Sequence, residues 1–375
     1  MYYPALDGLR GIAILAVIFR HNFDFLQATK YGWIGVDLFF VLSGFLITGI
    51  LLKTKTQKNY LANFFVRRIL RIFPLYYGAI ILFFVLAAAA EQLRDQYSFY
   101  FVNQGMVWFH LQNWLYITKS APTHHGMFIH FWSLSLEEQF YLVWPFVMLA
   151  RKQTRHLARL TIIILLASIV FRFVTWASLE NGDLNHYLQH MLRIDGLCVG
   201  SLVAIWRTSS AETAKKKIFQ LAAILLFLHA IAFLLSKLFF KGFPHFSIFG
   251  FSSIAVLFGM LLIILIEKRN KLTKMIFENK PLMGIGKISY GLYVFHWPIL
   301  VLFRIYFLPY LREQGASLNL SYAMASLSAA IAAILISIAS YHLIEKKILA
   351  ALKDVFTSER FIKRIPIQYR SVLAR

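Results

Sequence analysis

Read with a window of about twenty residues, the apolar and polar positions of this 375-residue chain fall into ten candidate membrane spans. They lie near 8–26, 34–52, 73–90, 131–150, 160–178, 193–206, 218–236, 245–266, 288–308 and 322–342. The first carries Arg10 at its start and no small-residue cleavage site after it, so it reads as a structural helix and not as a signal peptide. The pattern predicts an all-α polytopic bundle of about ten helices. Residues 1–345 form one membrane-embedded domain, and 346–375 form a basic cytoplasmic tail with Phe356, Phe361 and Ile365 interspersed.

Composition agrees with that class: 59% of residues are hydrophobic, 17% aromatic and only 15% charged, far from a soluble domain with its charged surface. Membrane lipid is therefore the chain's first partner. The 39 Lys and Arg residues set the orientation. One alternate set of connections, with the N-terminus, holds 29 of them, the other holds 6 and four lie within spans. By the positive-inside rule both termini are cytoplasmic, and the expected location is a cell inner membrane. The net charge of +22 is dispersed over these flanking loops as topology requires, which argues against nucleic acid. The single cysteine, Cys198, excludes an intramolecular disulfide.

Ionisable residues inside spans are costly and point to function. Arg10 and His21 are eleven residues apart, close to three helical turns, so they share one face about 16 Å apart along the axis. In the topology above, His21, Asp37, Glu137, Glu138, Arg193 and Asp195 all fall near the outer side. Asp37 either pairs with Arg20 or Arg193 to fix helices or meets a substrate. On the opposite side, Arg67 and Arg71 stand at i and i+4, a spacing that suits phosphate and equally suits ordinary flanking charge, with Arg68 between them. Pro74 is placed to open the third span. His296 sits mid-span beside Pro298, where a kink lets it line a cavity. Gly284-Ile285-Gly286 reads as a turn before the ninth span, and the glycines and serine of the second span, Gly49 included, as close-packing positions. Adjacent His124 and His125 lack the spacing of a zinc site, so no metal is expected.

Several blocks carry a resemblance. They are Asp7-Gly8-Leu9-Arg10 with His21, Gly35-Val36-Asp37-Leu38-Phe39-Phe40 through Ser43-Gly44-Phe45, the Arg67/Arg71/Pro74 segment, Trp132-Ser133-Leu134-Ser135-Leu136-Glu137-Glu138-Gln139-Phe140-Tyr141, Ser289-Tyr290-Gly291-Leu292-Tyr293 with His296-Trp297-Pro298, and Ser340-Tyr341 with Ile344-Glu345. Together, in order from residue 4 to about 347, they resemble the acyltransferase type 3 family of membrane acyltransferases. The resemblance implies transfer of an acyl group, commonly acetyl, from cytoplasmic acyl-coenzyme A to a hydroxyl of a sugar, a surface polysaccharide or a lipid-linked acceptor. The family's arginine-ten-residues-histidine motif maps onto Arg10 and His21. Some relatives add an extracytoplasmic esterase-like domain, for which this chain ends too soon.

On that reading His21 is the general base, since imidazole alone titrates near neutral pH without large perturbation. Glu137 or Glu138 orients it as a triad carboxylate does, with Glu137 favoured. Arg10, Arg67, Arg68 and Arg71 hold the phosphates of the coenzyme. A homo-oligomer is left open. The alternative, a transporter or flippase for a glycolipid or small hydrophobic solute, calls for broken helices at matching places in two halves, a pattern not visible here.

Overall fold

The computed structural model describes residues 3–350 except 90–93, 96, 120–125, 152, 179–192, 239–243, 268–269 and 349. His124, His125 and residues 351–375 of the expected tail lie outside the described residues. No strand occurs among the described residues. The helices are α1 Pro4–Asn22, α2 Ile34–Thr54, α3 Tyr60–Ala89, short α4 Ser98–Val102, α5 Gln104–Trp108 and α6 Gln112–Lys119, then α7 Phe131–Ala150 and α8 Thr154–Ser178. They continue with α9 Asp195–Arg207, α10 Ala211–Leu238, α11 Phe251–Glu267, α12 Lys271–Phe277, α13 Lys280–Lys287, α14 Ser289–Leu302, α15 Leu308–Glu313 and α16 Leu318–Ser340. Single π-helical turns precede α11 and follow α14 and α16.

Among the described residues seven helical stretches are long and apolar enough to cross a membrane. The other three expected spans are helices too, but α1 and α7 carry buried polar groups and α9 has only 13 residues, about 20 Å. These three, with α2, form the centre of the molecule. Residues 195–206 of α9 are all buried. α9 lies along α2 because glycines leave no side chain between them: a Cβ on Gly44 would strike the Leu197 backbone and one on Gly200 the Val41 backbone. A Trp144 Nε1–Thr48 Oγ1 bond (2.8 Å) and a Thr48–Ser201 bond (2.8 Å) stitch α7, α2 and α9 together. Gly49, by contrast, faces open space.

Two buried ion pairs hold the end of the bundle where α2 begins. Arg193 binds Asp37, and its guanidinium also lies over Trp33, Trp132 and Phe251. Arg172 of α8 grips Asp195 with two bonds of 2.6 and 2.8 Å, while its Nε donates to the Ile248 carbonyl. Each charge is met by a partner and by further polar or aromatic contacts, which buried charges require. Of the two partners expected for Asp37, the structure selects Arg193.

Two local expectations are corrected. Pro74 lies inside α3, because the arginine segment and the following apolar run are one continuous helix from Tyr60. Gly284, Ile285 and Gly286 are helical, in α13, where Gly286 packs against the Asp7 backbone of α1.

Candidate active site

Two structures meet inside the bundle, a cation-lined cavity and a group of histidines. The cavity has a volume of ≈ 310 Å³ and is walled by α1, α2, α3, α7 and α14. Its lining joins the cations Arg10, Arg68 and Arg71 with the hydroxyls of Ser133 and Tyr293 and with apolar Phe39, Phe40, Leu46, Ile47 and Ile50. Arg10 faces Asp7 at 3.7 Å, and Arg68 lies over the Tyr141 ring at 5.5 Å. Glu137 also lines this cavity, accepting from Ser43 Oγ and from Tyr141 OH at 3.0 Å each. An adjoining hollow of ≈ 160 Å³ shares Asp7, Arg10, Arg71, Ser289 and Tyr290 and adds Lys287 and Glu345.

Beyond Tyr293 the histidines begin. Its hydroxyl donates to the His130 carbonyl at 2.7 Å, so the short bond between Ser133 and Tyr293 has Ser133 as donor. The Tyr293 ring lies 5.7 Å from that of His296, and the His130 ring 5.1 Å from it. His296 is fully buried and its Nδ1 sits 3.0 and 2.9 Å from the Leu292 and Tyr293 carbonyls. Carbonyls only accept, so Nδ1 carries the proton and Nε2 has the lone pair. The 2.8 Å bond between His296 Nε2 and His21 Nδ1 therefore has His21 as donor. In this tautomer His21 keeps its own lone pair on Nε2. Trp297 closes the side of the His21 ring edge-on at 4.8 Å, with its Nε1 held by the Gly126 carbonyl at 2.7 Å.

The structure thus brings Arg10, Arg68 and Arg71 together, and His21 with His296, at two levels of one bundle. Arg67 is exposed and lines neither hollow. Glu137 bonds Ser43 and Tyr141 and not His21, whose ring partner is His296. One turn is about 5.4 Å, and Glu137 lies seven residues along from His130, which places it near the cations rather than the histidines. Glu138 Oε1 is buried without a hydrogen-bond partner, on the side of Arg68. Asp37, Arg193 and Asp195 are held in the two ion pairs. His130 was not singled out from the sequence; it stands just before the apolar run of α7, and its position beside the Trp132-Ser133 block is the signal that marks it. Among the described residues no group of three or more His, Cys, Asp or Glu side chains is placed to hold a metal ion.

Comparison with known proteins places this geometry. The family model described as "Acyltransferase domain" matches residues 3–342. The O-acetyltransferase OatA of Staphylococcus aureus (strain NCTC 8325 / PS 47) is 32% identical over 329 residues, covering 82% of this chain and 52% of that protein. The peptidoglycan O-acetyltransferase OatA of Listeria monocytogenes serovar 1/2a is 32% identical over 319 residues, 80% of this chain and 50% of the relative. The chain therefore spans about half the length of these curated relatives. No solved structure matches it at a significant level.

Proposed function

The chain belongs to the acyltransferase domain family, and from that membership we propose that it moves an acyl group, acetyl foremost, from acyl-coenzyme A to a hydroxyl of a sugar or surface polysaccharide precursor. The donor enters at the arginine mouth, whose cytoplasmic orientation the 29-to-6 split of Lys and Arg supports, and the acceptor arrives at the His21 end. The observation that carries the reading is the His296–His21 bond, which leaves a lone pair on His21 Nε2 in a half-buried residue.

The residues suit the donor. Arg10, Arg68 and Arg71 offer guanidinium forks to phosphates, and the apolar wall beyond them accepts an extended, uncharged arm. At ≈ 310 Å³ the cavity is at the small end of ligand pockets, so the nucleotide part rests at the mouth, against Arg71 and Lys287. His21 Nε2 takes the proton of the acceptor hydroxyl as its oxygen attacks the thioester carbonyl carbon, and as the C–S bond breaks the imidazolium returns that proton to the departing thiolate, which leaves as the coenzyme thiol. The imidazolium is kept in register by His296, whose Nε2 continues to accept from Nδ1–H. A neutral imidazole fixed by two backbone carbonyls here holds the place that a carboxylate holds in a triad. Glu137, in the wall beside Arg10 and Arg68, orders those cations.

The test is thiol release from acetyl-coenzyme A by the purified protein in liposomes, with and without a sugar acceptor. His21→Ala is expected to lower turnover about a thousandfold, the range of a lost general base, with folded protein retained. Turnover kept near the parent level removes His21 from the role. Acceptor movement across the bilayer without thiol release assigns the chain to transport instead.

A further inference from the structure

At the open end of the His21 ring stands a charge arrangement that the transfer scheme does not use. Arg304 lies on the π-helical turn Phe303–Phe307 that follows α14, a local widening of the helix often found where a side chain must be aimed at a site. Its guanidinium grips Asp24 with two bonds, Nη1 to Oδ2 at 3.2 Å and Nη2 to Oδ1 at 2.8 Å. Nη2 also reaches the His21 carbonyl at 3.4 Å, and Nε is buried with no hydrogen-bond partner. Asp24 sits on the turn just after α1 with its side chain 41% exposed, against 19% for Arg304. Arg20 is the second guanidinium in electrostatic reach of the His21 ring. Two fixed cations and one exposed carboxylate thus surround the base, leaving the mouth net positive.

The asymmetry within the pair is informative. A merely structural ion pair at an exposed end contributes little to stability. Here the arginine is the more buried partner, anchored to the backbone of the base itself, while the carboxylate is the exposed and replaceable one. Two parallel N–H···O bonds from a guanidinium are the geometry that recognises a carboxylate. Asp24 therefore occupies a ready-made carboxylate site whose floor is the backbone of His21.

We propose that Arg304 is a specificity-determining residue that receives a carboxylate carried by the acceptor, displacing Asp24, so that the enzyme selects saccharides bearing a carboxylate near the hydroxyl to be acylated. This rests on the acyl-transfer reading and names its acceptor class. Holding the acceptor through its charge sets its hydroxyl relative to His21 Nε2, and Asp24 closes the site when no acceptor is present.

The experiment compares two acceptors of equal length, a neutral hexosamine oligosaccharide and the same oligosaccharide bearing a carboxylate, with acetyl-coenzyme A as donor. The readout is the ratio of kcat/KM for the carboxylated over the neutral acceptor. Arg304→Gln is expected to lower the ratio about tenfold through KM, the size of one charge-assisted hydrogen bond. Asp24→Asn, which keeps the shape and removes the resident charge, is expected to raise it severalfold. A structural role for the pair would depress both acceptors alike in both variants and leave the ratio where it was, and that result overturns the proposal. So does a parent enzyme that prefers the neutral sugar. Absence of thiol release with either acceptor, in parent and variants alike, would instead count against acyl transfer itself.

Discussion

Arg71 lines both hollows at the mouth of the bundle, whereas Arg67, one turn earlier on α3, lines neither and is exposed. A phosphate meeting Arg71 loses charge-assisted hydrogen bonds when the residue is truncated, while one meeting Arg67 would have to leave the cavity. Arg71→Ala is therefore expected to raise KM for acetyl-coenzyme A about tenfold at low salt and Arg67→Ala less than about twofold. Equal effects in donor-binding assays would place the phosphates outside the cavity. On a helical wheel Arg71 lies about 40° from Arg67 and about 60° from Arg68, so the sequence allows either pair to share a face. Only packing against α1 and α7 decides for Arg68. The same limit applies to the base: His21 was legible as an intramembrane imidazole at a set distance from Arg10, but its partner, His296, lies 275 positions away. A neighbouring pair of glutamates looked like the nearer source of an orienting group. The tautomer that frees Nε2 comes from two backbone carbonyls, which no residue pattern announces.

Helices that are apolar along their length were read from the chain with ends close to those observed, as for residues 322–342 against Leu318–Ser340. α3 was not, because the three arginines of its first thirteen residues put that segment outside an apolar span, so the arginine face read as a helical turn before the span is in fact the start of the same helix. Nor was α13, whose glycines resemble a turn and instead let it press on α1. Pairing of α2 with α9 was half legible. Small residues in the second span signalled close packing, but the positions that use it are Gly44 and, from the partner helix, Gly196 and Gly200, not Gly49. Gly200 is the sharper test, since a side chain there meets the Val41 carbonyl and the Phe45 amide, backbone atoms that cannot turn aside. Gly200→Val should separate α2 from α9 at a cost of about 1–3 kcal/mol, read as a lower thermal midpoint in detergent. Gly49→Val should leave that midpoint within the scatter of the parent. A Gly200 variant as stable as the parent would mean that the two helices are not held at this contact.

For the molecule as a whole, the proposed function imposes a requirement that neither half meets alone: with a thioester bound in the cavity and His21 acting as base, water and protons must not run between them before transfer. Ser133 and Tyr293 line the cavity, and the His130 and His296 rings, which do not, lie 5.4 and 5.7 Å from the Tyr293 ring. Tyr293 is pinned by two hydrogen bonds, one donated to the His130 carbonyl and one accepted from Ser133 Oγ, with its ring 5.7 Å from that of His296, and on the proposed function that ring is the partition between donor and base. Each such bond is worth about 1 kcal/mol net, which makes the partition firm at rest yet movable when a bound donor supplies compensating contacts. Tyr293→Phe keeps the ring and removes both bonds. It is expected to raise acceptor-independent hydrolysis of acetyl-coenzyme A about tenfold relative to transfer, measured as free thiol released per acylated acceptor formed. Tyr293→Ala should raise that ratio further, because the ring itself is gone. A ratio equal to the parent's in both variants would move the barrier to another layer of the bundle, and one that falls would make the phenol hydroxyl a participant in the leak rather than its stopper.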